Sequence, residues 1–239
     1  MLVPSVASAA GGEASETSEG FATDMSMGFR APRPALMLVG SLRQAQIRDG
    51  VARGPWGLAQ RRVRPHVFGE PPESELVPAL EHPARPHRLA FLAWQALFAA
   101  GRAAGLPEAH LVIHSAYRSV ALQAEIWAYR LAERRAARVA EGLPPLPERE
   151  LERQQMKWTA KPGQSAHHTG LALDLGLYVM AKRESLRAAR RTATYAWLAA
   201  HAKAFGFYPY LPEPWHWEYN PPGLVATLRE LRGLLPESE

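Results

Sequence analysis

The sequence contains no cysteine. Disulfide bridges, thiolate-held metals and a cysteine nucleophile are therefore excluded together, and any metal must be carried by His, Asp or Glu. Lysine is nearly missing too, occurring only at Lys157, Lys161, Lys182 and Lys203, so the formal charge of +5 comes almost wholly from arginine. Such a bias reflects GC-rich coding and is no nucleic-acid footprint by itself, although the basic balance suits an anionic polymer. Long apolar runs are absent as well. Stretches such as Ala35 to Val39 fall far short of the ~20 residues a bilayer-spanning helix needs. Met1 to Gly12 is small and apolar but lacks a basic start and a proper hydrophobic segment, so no standard signal peptide is evident.

What is present can bury a core. At 239 residues and 47% hydrophobic, the chain suits one domain of moderate size with appendages. Gly11 to about Arg30 is rich in Gly, Ser, Thr, Glu and Ala without any period and reads as a disordered leader. From Pro32 to Pro86 prolines recur among scattered apolar residues, which reads as an irregular extension packed on the main domain, with a short helix around Ser41 to Val51. The division is therefore 1–80, leader and Pro-rich extension, and 81–239, the functional domain.

Within 81–239, Leu89, Phe91, Leu92, Trp94, Leu97 and Phe98 form an apolar stripe at helical spacing, ending at Gly101 to Gly105. His110 to His114 (HLVIH) reads as a short buried strand, Ser115 to Ser119 as a turn, and Val120 to about Glu141 as a helix. Pro144, Pro145 and Pro147 interrupt it before a short charged helix from Glu148 to Met156. The LALDLGL portion of Gln164 to Leu177 has strand character, Arg183 to Phe205 reads as one helix stopped by Gly206, Phe207 to Tyr219 as extended, and Pro222 to Leu235 as a final helix. Helices and short strands mix without βαβ alternation, so the fold class is α+β.

Two segments carry chemistry: Ser165-Ala166-His167-His168-Thr169-Gly170-Leu171-Ala172-Leu173-Asp174 and Glu213-Pro214-Trp215-His216. His167, Asp174 and His216 supply two imidazoles and one carboxylate, a complete protein shell for a catalytic zinc that leaves one position for water. Glu213, three residues before His216, is placed to reach that water and not the metal, the general acid/base position amide hydrolysis requires.

The pattern S-x-H-x-x-G-x-A-x-D followed by E-x-W-H resembles the VanY-type D-alanyl-D-alanine carboxypeptidases, which share their metal-site fold with lysostaphin-type endopeptidases and hedgehog signalling domains. Ser165, His167, Gly170, Ala172, Asp174, Glu213, Trp215 and His216 all match. A further family pattern, S-x-Y-R-S-x-x-x-Q, is present as Ser115, Tyr117, Arg118, Ser119 and Gln123. The resemblance covers about Pro86 to Tyr219, and the link from Arg130 to Thr159 is longer than usual. It implies a small antiparallel sheet carrying one zinc ion and flanked by helices. It also implies that Arg118 binds the substrate's terminal carboxylate or polarises its scissile carbonyl, with help from Gln123 and Ser165. A guanidinium fork matches a carboxylate well. The implied substrate is a peptidoglycan stem peptide losing a C-terminal D-alanine, D,D- or L,D-, and that substrate favours the cell envelope. The protein reads as a monomer with no nucleic-acid partner.

Bland readings stand beside these. His168 fills a variable position and reads as a pocket-wall or surface residue, Trp215 as a wall beside the metal, and Trp94, Trp127 and Trp197 as core. Arg130 to Arg138 reads as a solvated helix face. Two rival functions share the motifs: a peptidoglycan endopeptidase of autolytic or phage type, and a catalytically silent metal-bearing binding module. The presence of Glu213 weighs against the second.

Overall fold

A computed structural model describes residues 52–53, 58–79 and 83–233. The leader and the helix expected around Ser41 to Val51 lie outside the described residues. In chain order the strands are β1 (Ala52–Arg53), β2 (Ala59–Gln60), β3 (Ile113–Ser115), β4 (Ala172–Leu175), β5 (Phe207–Pro209) and β6 (His216–Tyr219). The helices are α1 (Pro65–Phe68), α2 (Arg88–Ala103), α3 (Glu108–Leu111), α4 (Val120–Ala140), α5 (Glu148–Gln155), α6 (Leu177–Arg183), α7 (Leu186–Arg190), α8 (Ala193–His201) and α9 (Leu224–Leu231).

The α+β expectation holds. A four-stranded sheet in the order β3-β4-β6-β5, antiparallel at every pairing, sits among the helices. Its two central strands are buried along their whole length. Side chains alternate across a strand, so Leu173, Leu175, Trp217 and Tyr219 take one face and join the core with Ile113, Leu198 and Phe207. Asp174, His216 and Glu218 take the other face, and that polar face must be covered and paired to exist inside the protein.

Helix α2 forms where its stripe predicts, but of the six stripe residues only Trp94 and Leu97 are buried, Leu89, Phe91 and Phe98 are half-buried, and Leu92 is exposed. His87 caps it by accepting from the Leu89 backbone N–H at 3.1 Å, and Ala90, Trp94, Leu97 and Gly101 fill its buried side. Trp94 also donates to the Leu111 carbonyl at 2.8 Å, joining the helix to the chain entering β3. The strand expected at His110 to His114 starts later. His110 lies within a short helix, where its Nδ1 meets Thr194 Oγ1 at 3.0 Å, and only Ile113–Ser115 pairs with β4.

The single helix expected over Arg183 to Phe205 is divided. Ser185 and Thr192 accept from the backbone N–H groups of Ala188 and Tyr195, capping α7 and α8 separately. Short hydroxyl side chains competing for backbone donors are the physical reason an apolar pattern failed to run through. Likewise, strand character stops at Leu175, and Gly176, already in right-handed helical backbone, leads into helix α6 at Leu177; it passes the Ala109 carbonyl so closely that no Cβ would fit.

The long link Arg130 to Thr159 is a helical hairpin. Helix α5 runs back along α4 with Leu131 and Leu151 buried against Trp127. Arg134 bonds Gln155, and Arg135 pairs with Glu148. The outer arginines are largely exposed, as expected for a solvated face. Residues 58–79 lie against the sheet and the site loops. Glu75, buried, takes His87 Nε2 at 2.9 Å and Arg232 Nη2 at 2.8 Å, while Glu70 accepts from Tyr117 Oη and the Val120 N–H, each at 3.0 Å.

Candidate active site

The first site segment is a single tight turn, Ala166–Thr169, whose N-terminus is capped by Ser165 Oγ accepting from the His167 N–H at 3.3 Å. Gly170 ends the turn at φ 67°, and a Cβ there would lie 2.9 Å from the His87 backbone nitrogen. The glycine of the motif is thus needed twice, for the left-handed backbone and for close approach to the α2 cap.

That turn aims His167 inward. Its Nδ1 bonds the Ala116 carbonyl at 2.6 Å, and its Nε2 lies 3.3 Å from Asp174 Oδ2. Asp174 and His216 are register partners on β4 and β6, with Oδ1 and Nδ1 3.0 Å apart. The far nitrogen of His216, Nε2, meets Glu218 Oε1 at 3.1 Å. The two imidazoles cross edge to face at a ring separation of 4.9 Å. One donor atom from each of His167, Asp174 and His216 falls within 4.8 Å of the others, all three residues being buried.

This donor set fits one metal ion. A carbonyl and a carboxylate hold the outer nitrogen of each histidine, which fixes the tautomer that leaves the inner lone pair toward Asp174, as metal-ligating histidines require. Without an ion the same cluster is a charge pair. Burial works against charge on His216, but hydrogen bonds to Asp174 and Glu218 outweigh it and push its pKa up to about 10. For Asp174, burial is likewise overcome by the two histidines, and its carboxyl is held far below the ordinary range.

Glu213 sits half-buried in the turn before β6, where its N–H bonds the Tyr210 carbonyl and its own carbonyl accepts from the His216 N–H, both at 3.0 Å. Burial raises its pKa above the usual carboxylate value, a shift that His216 opposes and Asp174 reinforces. A carboxyl with raised proton affinity is better suited to take and return a proton.

Arg118 enters on the loop after β3, where its backbone N–H bonds the His167 carbonyl at 3.1 Å. Its Nη1 donates to Gln123 Oε1 at 2.8 Å, and Gln123, fully buried, donates in turn to the Ala160 carbonyl at 2.7 Å. Gln123 therefore braces the guanidinium, while the Ser165 oxygen is engaged in capping. Trp215 is buried edge-on to Tyr178 at 5.4 Å. His168 is not a surface residue. It is 1% exposed, with Nδ1 on the Arg118 carbonyl at 2.7 Å and Nε2 accepting from the Gly163 N–H at 3.1 Å, and so clamps the two motifs together. Its neighbourhood offers only main-chain partners, so the variable position gave no sign of this.

Sequence reasoning missed Glu218. The signal was there, since a residue two positions after His216 on a strand shares its face. Also unforeseen was a cleft of about 770 Å³ that runs from Glu213 and Trp215 to Arg134, Lys157 and Trp158 on the helical hairpin, with Lys182 on its other side.

The family of D-alanyl-D-alanine carboxypeptidases called VanY matches residues 85–222. The chain belongs to that family. It is accordingly a zinc metallopeptidase of the VanY carboxypeptidase type, a hydrolase of the bacterial cell wall. Three solved structures are similar to it. One is the vancomycin-resistance D,D-pentapeptidase VanY from a VanB-type cassette, a Glu-to-Ala mutant in complex with Zn(II) (26% identity, 74% of this chain and 93% of that one, TM-score 0.46). Another is VanYB in complex with D-alanine-D-alanine (27%, 67% and 84%, TM-score 0.44). The third is the LD-carboxypeptidase LdcB (22%, 78% and 90%, TM-score 0.47). No curated protein matches the chain. The VanY match starts after residues 58–79, so the part that packs on the sheet from the N-terminal side lies outside it. No helix among the described residues is long and apolar enough to cross a membrane.

Proposed function

We propose that this protein removes a C-terminal D-alanine from peptidoglycan stem peptides in the cell envelope, with one zinc held by His167, Asp174 and His216. The observation that carries this reading is the joint of Arg118 to His167: a braced guanidinium is tied by its own backbone to a metal-ligand loop. Such a pairing suits a substrate whose free carboxylate lies one residue beyond the bond to be cut. VanYB, a relative, is known in complex with D-alanine-D-alanine, a dipeptide with that arrangement.

Zinc in this triad supplies Lewis acidity toward the scissile carbonyl and lowers the proton affinity of a water. Glu213 takes the proton of the attacking water and delivers it to the departing amine of D-alanine. Arg118 binds the terminal carboxylate and sets the scissile amide in line. His167 and His216 stay oriented through Ala116 and Glu218. The cleft beyond Glu213, walled by Trp158 and by the cations Arg134 and Lys157, accommodates the rest of an acidic peptide.

The test is incubation of the zinc-loaded protein with defined muropeptides, read by mass spectrometry. Loss of a single terminal alanine from a pentapeptide or tetrapeptide stem is expected, and which of the two is trimmed assigns D,D- or L,D-specificity. Cleavage confined to internal or cross-bridge bonds would replace this reading with the endopeptidase one. Binding without cleavage would leave a silent module.

A further inference from the structure

Glu218 is a buried acid that the reaction above does not consume. It is 0% exposed, two residues after His216 on the same face of β6, and its carboxylate is fully engaged. One oxygen takes His216 Nε2 at 3.1 Å and Arg62 Nε at 2.7 Å, while the other accepts from the Val63 backbone N–H. An acid so deeply buried persists only when its lone pairs are met, and two of its three partners come from the segment just after β2.

That segment is itself held. Arg62 lies with its guanidinium carbon 3.9 Å from the centre of the Tyr210 ring, and its carbonyl accepts from Asn220 Nδ2 at 3.1 Å. Tyr210 in turn stands edge-on to the His216 imidazole at 5.6 Å. Val63 is buried in the core. Residues 61–63 thus cover the polar face of the sheet behind the metal-ligand strand, and they lie before residue 85, where the family match begins.

We propose that Arg62 and Glu218 are positioning residues of the metal site: residues 61–63 form a strap that fixes the Glu218 carboxylate, which fixes the ring plane and tautomer of His216. The device is a carboxylate–histidine–metal relay whose far end is anchored by a segment added in front of the family domain. Its effect is on metal retention, since a histidine free to rotate offers its lone pair to the ion only part of the time. The proposal rests on reading His167, Asp174 and His216 as a metal site.

The experiment compares the full chain with Glu218→Gln, Arg62→Ala and Arg62→Lys. Zinc affinity is measured by competition with a chromophoric chelator, and melting of the metal-free proteins is followed by circular dichroism. Loss of an outer-shell partner of this kind typically costs about 10–100-fold in metal affinity. Glu218→Gln is expected in that range, Arg62→Ala at its lower end, and Arg62→Lys nearer the wild type. Should Glu218→Gln not fold, Arg62→Ala decides, because the Arg62 side chain is 40% exposed and its loss leaves no void in the core. Zinc affinity within twofold of wild type in the Arg62→Ala protein, whatever its melting temperature, would overturn the proposal. A wild-type chain that binds no zinc would instead sink the metal-site reading itself.

Discussion

Asp174 and His216 stand opposite one another across the ladder between β4 and β6, carboxylate oxygen to Nδ1 at 3.0 Å. One register pair thus supplies two of the three metal-binding side chains, and the backbone hydrogen bonds of the sheet set their separation before any ion arrives.

The pair makes zinc uptake pH-dependent. Hydrogen bonds to Asp174 and Glu218 outweigh burial and raise His216 from 6.5 to about 10, so the metal-free site carries a proton at neutral pH. Zinc must displace it. Calorimetric titration near pH 7.5 in buffers of different ionisation enthalpy is expected to show about one proton released per ion, with affinity rising as pH approaches 10. The sign for the metal-free fold is opposite. A pKa raised on folding gives stability that is complete below pH 6.5 and lost as pH climbs through about 10.

Glu213→Gln should retain zinc at wild-type stoichiometry while hydrolysis falls about 10²–10⁴-fold, the usual contribution of a general base. Because burial raises the Glu213 pKa, the acid limb of the wild-type rate profile should lie above the ordinary carboxylate range, activity increasing with pH as the base form appears. Zinc content and single-turnover rates measured together check both. An unchanged rate in the variant would remove Glu213 from the mechanism.

Arg118→Ala should impair cleavage of short peptides with a free C-terminus far more than of any internal bond. Arg118→Lys should rescue poorly, since an ammonium offers no fork. Gln123→Leu should act through Arg118, raising KM with less effect on kcat. It also leaves the Ala160 carbonyl without its side-chain donor, for about 1–3 kcal/mol of stability. Equal KM for wild type and Gln123→Leu would show that the brace is dispensable.

Gly170→Ala should destabilise the fold. The left-handed backbone alone costs roughly 1–2 kcal/mol in a non-glycine residue, and the new Cβ would press on the His87 nitrogen at 2.9 Å. Urea unfolding of the metal-free protein should show a loss at least that large, and zinc binding should weaken because His167 lies in the turn that Gly170 ends.

What the sequence determined by itself was chemical. Absence of cysteine restricted the ligands to His, Asp and Glu, and the spacing of His167, Asp174, Glu213 and His216 singled out the candidate metal ligands and the candidate base before any fold was known. Local patterns also located α2 and the strand character around Asp174, because such patterns are properties of neighbouring residues, whereas the run Phe207 to Tyr219, which reads as one extended stretch, divides into β5, a turn and β6. Tertiary structure decided the rest. That Ala116 holds His167, that Gln123 reaches the Ala160 carbonyl, that His168 reaches the Arg118 carbonyl and that Arg62 meets Glu218 are contacts between residues distant in the chain, whereas Glu218 with His216, Gln123 with Arg118 and His168 with Gly163 are close in sequence and depend on the local fold. Such contacts leave no periodic trace. They exist because a polar face of a buried sheet must find partners wherever the fold brings them.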